Sequence, residues 1–288
     1  MDFSPYMVFV DPSDVNRLER RPSETWDRHV SQMVEAYGIA EMLGTRGIAV
    51  LSGLDNLSDP QLRAVFTLVC EALGTMVPQS FDSSVQLLRE VTYRGNDLSD
   101  RTLRYSDSRG GGSFHTDGVP VPGEVPDFIA LLCLRQAAIG GELVFIDSQE
   151  ILRLAAAQMP DILTVLGSQF HFDQRRKDEP GATVVRRVVE RSGTDRRTHR
   201  LTYLRDYIES GHAMPGVRPL TQVETRAMDL LDAVMANEAL HIEGRLLRGQ
   251  IVISDNQRYL HGRHAFVDVS EDAGRMMLRA WIRRWPHE

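Results

Sequence analysis

The chain has 288 residues, 42% hydrophobic and 25% charged, the balance of a soluble globular protein able to bury a substantial core. A formal charge of −7 argues against a general nucleic-acid or anionic-membrane binder, which would carry a basic surface. Met1 to Pro12 lack the basic flank and apolar run of a signal peptide, and the strongest apolar run, Phe128 to Leu134, is too short to cross a bilayer.

Residues 1–75 read as mainly helical with one strand, a scaffold without ligand candidates. Ser23 is placed to cap a helix over Glu24–Leu43, with Trp26, Val30, Met33, Ala36 and Tyr37 as its apolar stripe. Gly47–Leu51 is a buried-strand run. Ser58-Asp59-Pro60 then opens a second helix, and Gly74 follows its end. Cys70 and Cys133, the two cysteines, lie in apolar segments and read as reduced core thiols of a cytoplasmic protein.

From about residue 76 the pattern changes to short strands between turns. Val85–Tyr93 is a strand candidate, followed by a polar loop, Arg94–Arg109. Pro126–Arg135 reads as a strand buried on both faces, and Gly140-Gly141 turns the chain into Glu142–Ile146. Asp147 or Ser148 caps a helix from Gln149 to Gln158. Val184–Glu190 and His199–Leu204 suggest a hairpin around Ser192–Asp195. Thr221 to Glu224 is a capping box opening a helix with Val223, Ala227, Leu230, Leu231 and Val234 on one side. Gln250–Ser254 and Met276–Trp281 are the last strands. Many strands and few strand–helix–strand units point to an antiparallel barrel or jelly roll, with a single domain over residues 1–288.

The chemistry concentrates around Gly110–Gly118. His115 and Asp117 are two residues apart, so in extended chain both point to one face and can share an ion. A second His-x-Asp, His171-Phe172-Asp173, competes for that role, but it leads into the charged stretch Gln174–Glu179 with no apolar strand behind it. His261 follows the Gln250–Ser254 strand, and His264 would face away from it. In the last strand, alternation sets Arg275, Met277, Arg279 and Trp281 on one face. If that face lines an interior, two buried guanidiniums call for carboxylate ligands; if it is a sheet edge, they are solvated.

Taken together, His115-x-Asp117, His261-Gly262-Arg263 with Phe266, Arg275 and Arg279 resemble the Fe(II)/2-oxoglutarate-dependent oxygenases, in the branch of clavaminate synthase and taurine dioxygenase. Pro126–Arg135 is similar to that branch's strand after the first ligand, and Asn256-x-Arg258-x-x-His261-Gly262-Arg263 to its second-histidine motif. The resemblance implies a double-stranded β-helix core, mainly β with peripheral helices. It implies His115, Asp117 and His261 as iron ligands, Arg275 on the distal carboxylate of 2-oxoglutarate, and Arg279 on a substrate carboxylate. Two positions depart from the pattern. Asp117 stands where the clavaminate synthase branch often has Glu, and Leu143 replaces a threonine that often helps to bind the co-substrate.

Two imidazoles and a carboxylate on one face of Fe(II) leave positions for 2-oxoglutarate and O2. Asp117 fills the place that a halogenase would leave open, so hydroxylation, desaturation or cyclisation is expected over halogenation. The substrate class implied is a small carboxylate, an amino acid or its derivative, in specialised metabolism. A sulfonate oxygenase of the taurine type and a non-catalytic metal- or acid-binding jelly roll are the rival readings. Asp107, Ser106, Ser108 and Arg109 are read as a solvated loop, with contact to substrate as the alternative. The arginines between Gln174 and Arg200 are read as an exposed hairpin of mixed charge. The alternative there is a lid over an acidic substrate or an acidic carrier protein.

Overall fold

Side chains alternate across each strand, and in a computed structural model of the chain that alternation distributes the apolar residues among three cores. The structure describes residues 2–20, 25–79, 86–95, 105–176, 178–191, 199–268, 270 and 274–285. Its larger sheet runs Met7–Phe9, Ile48–Ser52, Ile251–Asp255, Phe128–Arg135, Met276–Arg284 and Gly74–Val77, with Leu88–Thr92 also pairing the Met276–Arg284 strand. Only the pair of Met7–Phe9 with Ile48–Ser52 is parallel among these. A smaller antiparallel sheet orders Ile242–Gly244, Leu143–Asp147, Tyr259–Arg263 and Gly112–His115.

The outer face of the larger sheet (Ala130, Leu132, Ile253, Leu278, Ala280) packs on the helices Trp26–Ala36 and Asp59–Leu73. Its inner face (Ile129, Leu131, Cys133, Met277, Trp281) meets Leu143, Phe145 and Tyr259 of the smaller sheet. Ile146 and Leu260, on the other side of that smaller sheet, join a third core with the helices Ser148–Gln158, Arg205–His212 and Gln222–Met235. This is the expected jelly roll with peripheral helices. It also explains why Phe128–Leu134 reads as a continuous apolar run: the strand is buried on both faces.

Local signals set the starts of three helices. Ser58 and Gln61 form a capping box at Asp59–Leu73, Thr221 and Glu224 another at Gln222–Met235, and Asp147 caps Ser148–Gln158. Three expectations change and one holds. The first long helix breaks at Gly38, whose φ of +62° is left-handed, giving Trp26–Ala36 and Ile39–Thr45; Ser23 lies outside the described residues. Thr183–Arg187 pairs with Gln169–Asp173, so only Val189–Arg191 and His199–Leu201 form the pair expected around 192–198, which lie outside the described residues. Val223 is exposed, and Met228 takes its place on the buried face of Gln222–Met235. Cys70 and Cys133 are both buried and unpaired, as read from their settings. Among the described residues no helix is long and apolar enough to cross a membrane.

Candidate active site

His115 ends the strand Gly112–His115 and lies directly across from His261 in the register of the smaller sheet. The two imidazole centroids are 4.3 Å apart. Asp117 lies just beyond the strand end, yet it keeps the side expected from two-residue alternation, because Thr116 is turned the other way. The Thr116 hydroxyl donates to the carbonyl of Leu201 (3.1 Å) and its N–H to that of Tyr203 (2.9 Å). Asn256 holds the Asp117 backbone from both ends of the peptide unit. It accepts from the Asp117 N–H (2.9 Å) and donates to the carbonyls of Asp117 (3.1 Å) and Pro126 (2.9 Å). The ligating atoms of His115, Asp117 and His261 all lie within 4.8 Å of one another. No other such cluster occurs among the described residues.

Two imidazole nitrogens and one carboxylate, clustered and largely buried, suit a divalent first-row metal with an open coordination face. Protonation states agree with that fit. The His115 Nδ1–H donates to the Ser113 carbonyl (2.9 Å), which leaves the Nε2 lone pair toward Asp117. Burial, reinforced by His115 and Arg279 and opposed by Asp117, pushes the His261 pKa down to about 3, so that imidazole is neutral at pH 7. Burial alone would raise the Asp117 pKa. The Arg279 guanidinium, the two imidazoles and the Trp281 N–H outweigh it and hold the carboxyl well below the usual range.

The last strand carries its arginines inward, as alternation allowed. Arg275 is 3% exposed, has no carboxylate partner for its guanidinium among the described residues, and leaves its Nε buried without an acceptor. Its guanidinium packs over Phe266, and burial, with Arg263 nearby, pushes its pKa down to about 10. Arg275 and His261 share a cavity with Arg263, Ile129, Leu131 and Leu143. An apolar cavity with an unpartnered guanidinium is a site for a small carboxylate. Leu143, the departure from the threonine pattern, forms part of its wall.

Arg279 is placed differently. Its Nη1 donates to both oxygens of Asp117 (3.0 and 3.1 Å) and its Nε to Gln79 Oε1 (2.8 Å). Nη2 alone has no partner among the described residues. The side chain borders the first cavity and also a second, which shares Ser106, His115 and Asp117 with the first and adds Pro120, Leu204, Tyr207 and Trp281. Arg175 stacks over Tyr207 at 4.7 Å, one layer behind this cavity.

Other sequence candidates resolve plainly. The His171 ring bonds Thr183 Oγ1 through Nδ1 (3.0 Å) in the middle of a strand, and the His171 backbone N–H donates to His212 Nε2 (3.1 Å), so neither ring joins the cluster. His264 is exposed and pairs with Glu243 (3.2 Å). The loop reading of Asp107 is corrected: Asp107 is 1% exposed and accepts from Arg89 at 2.9 Å on each oxygen. Arg186, expected on an exposed hairpin, donates to the carbonyls of Val119 and Val121 and ties its strand to the segment after Asp117. Gln79 and Arg89 were not legible as site residues, because nothing near them in sequence signals the contact. Trp281 was legible only as a member of the inward face.

Residues 30–281 match the family described as taurine catabolism dioxygenase TauD, TfdA. FR-33289 synthase of Streptomyces rubellomurinus (strain ATCC 31215) is 28% identical over 273 residues, 92% of this chain and 76% of that protein. Among solved structures, an asparagine oxygenase in complex with Fe(II), 2S,3S-3-hydroxyasparagine and succinate is similar with a TM-score of 0.72. It is 20% identical, and the match covers 96% of this chain and 93% of that one. The non-heme iron oxygenase OrfP, in complex with Fe, succinate and (3S)-hydroxy-L-Arg, is similar with a TM-score of 0.67 at 13% identity, covering 96% and 94%. Since the family match spans most of the chain and the fold around the site agrees with it, the chain belongs to the TauD/TfdA family of iron- and 2-oxoglutarate-dependent dioxygenases.

Proposed function

We propose that His115, Asp117 and His261 hold Fe(II), that Arg275 receives the distal carboxylate of 2-oxoglutarate, and that the enzyme hydroxylates a free amino acid or amino-acid-derived carboxylate in specialised metabolism. The observation that carries this reading is the cluster of three ligating atoms within 4.8 Å, set between two cavities that each contain an inward arginine. The amino-acid ligands bound by the asparagine oxygenase and by OrfP are in keeping with it.

Iron with 2-oxoglutarate and O2 supplies the oxidising power, releasing succinate and CO2 and oxidising an unactivated C–H bond. The residues of the chain supply position. Arg275, desolvated and unpartnered, gives a carboxylate both charge and directed N–H groups where water is largely excluded. Leu143, Ile129 and Leu131 enclose the carbon chain of that ligand. On the other side, Arg279 offers Nη2 to a substrate carboxylate, while Leu204, Pro120 and the Trp281 ring shield the substrate's C–H bonds from solvent. Arg175 steadies Tyr207 at the far wall.

The test is direct. Fe(II) and 2-oxoglutarate added without oxygen should give a weak visible charge-transfer band. With oxygen and a panel of free amino acids, the true substrate should yield succinate together with a product heavier by one oxygen atom. No band and no succinate with any amino acid would overturn the reading; a loss of two hydrogens would move it to desaturation or ring closure.

A further inference from the structure

The contacts of Asp117 go further than ligand identity, because they account for its lone pairs one by one. An ionised carboxylate accepts about four hydrogen bonds or ligand bonds, two on each oxygen. Oδ2 receives the Trp281 Nε1–H (2.9 Å) and Arg279 Nη1–H (3.1 Å). Oδ1 receives Arg279 Nη1–H alone (3.0 Å); it faces His115 Nε2 at 3.7 Å, while Oδ2 faces His261 Nε2 at 3.9 Å. The remaining acceptor position therefore lies on Oδ1. The donors are themselves fixed. Trp281 and Arg279 sit two apart on one strand face, with the guanidinium 5.0 Å above the indole ring. Gln79 accepts from Arg279 Nε and donates to the carbonyls of Leu87 and Arg279. All four side chains, those of Gln79, Arg279, Trp281 and Asp117, are buried.

We infer that Trp281 and Arg279 are positioning residues that make Asp117 a one-oxygen ligand: the metal bonds Oδ1, while Oδ2 is retained by the indole N–H. An aspartate carboxylate free to turn could also chelate through both oxygens and consume a coordination position that co-substrate or oxygen requires. Clamping Oδ2 prevents that. The inference rests on Asp117 being a metal ligand, as proposed above.

Co(II) titration of metal-free protein tests it without turnover, following heat of binding, the visible d–d absorption and tryptophan fluorescence. Trp281→Phe keeps most of the ring and deletes the N–H. It should bind Co(II) roughly 10-fold more weakly, the scale on which partners of metal ligands act, with an altered d–d band and less quenching of tryptophan fluorescence by Co(II) than the parent should show. Trp285→Phe, an exposed control, should keep the parent affinity and quenching. Arg279→Lys, which keeps the charge without the two-oxygen contact, should also weaken Co(II) binding and serves if Trp281→Phe does not fold. Parent affinity and parent spectrum in a folded Trp281→Phe protein would overturn the inference. Asp117→Ala separates the two levels: if it loses Co(II) binding while Trp281→Phe does not, only the clamp is refuted. If Asp117→Ala binds as the parent does, the ligand assignment itself fails, and the clamp with it.

Discussion

Arg275 and Arg279 lie four residues apart on the same face of the same strand and are almost equally buried, yet their surroundings are opposite. Arg275 meets apolar walls, an aromatic ring and another arginine; Asp268 accepts its backbone N–H at 2.7 Å, but no carboxylate among the described residues pairs with its guanidinium. Arg279 meets Asp117 and Gln79, which occupy Nη1 and Nε. The first is a charge waiting for a ligand. The second is already part of the protein's own network and can give a ligand only one amino group. A guanidinium buried without an anion is unfavourable, so the Arg275 cavity stores affinity for a carboxylate, whereas the Arg279 side stores order in the metal-binding carboxylate.

The largest effects should fall on the cluster between the two arginines. His115→Ala or His261→Ala should leave no measurable succinate, while His171→Ala should turn over as the parent does. An inactive His171→Ala beside an active His115→Ala would exchange the two histidine–aspartate pairs. Next comes Arg275→Ala. Losing a buried, charge-assisted contact worth about 2–4 kcal/mol should weaken 2-oxoglutarate binding by roughly 30- to 1000-fold with little change in metal affinity. Equilibrium titration of the Fe(II) protein under argon measures both. Arg279→Ala should raise the KM for substrate roughly 10-fold, through loss of one charged hydrogen bond. Unlike Arg275→Ala, it should also weaken metal binding. If the two variants show the reverse pattern, the two arginines exchange roles.

Smaller effects should appear behind the second cavity. Arg175→Glu removes the cation stacked over Tyr207 and should raise the substrate KM a few-fold. Arg176→Glu, which breaks pairs with Asp178 and Glu179 at the surface, should not. Equal effects from both would favour a charged lid over a supported wall. Smallest is a change in acid stability far from the site. Burial opposes the charge on Glu224, but Arg218 and the Thr221 donors hold its pKa at about 2, below the free value of 4.5. A folded-state pKa below the unfolded one gives stability that is complete above about 4.5 and is lost as the pH falls toward 2. Glu224→Gln should therefore show a flatter dependence of Tm on pH across that window. An unchanged slope would mean that the ion pair with Arg218 adds nothing.

Where sequence was informative, the signal was local. His115-x-Asp117 needed only the two-residue repeat of an extended chain, and Arg275, Met277, Arg279 and Trp281 needed the same repeat to share a face. Caps at Ser58, Asp147 and Thr221 are interactions within one turn, so they too were legible. The break at Gly38 was harder to see, because the apolar stripe continues through it and only its left-handed φ ends the helix. The pairing of Thr183–Arg187 with Gln169–Asp173 was hidden for another reason: Thr183–Arg187 is half exposed, with no buried face whose alternation would specify its neighbour.

The sequence by itself determined the inventory: two imidazoles and a carboxylate at extended-chain spacing, two arginines on one strand face, and enough alternating strands to build a jelly roll. Only the tertiary structure decided which partner each charge would have. Gln79 reaches Arg279 across 200 positions and Trp281 reaches Asp117 across 164, separations over which no sequence period operates. Hydrogen bonding and desolvation act through space, so whether a buried arginine serves a ligand or the protein's own aspartate is settled when the sheets close.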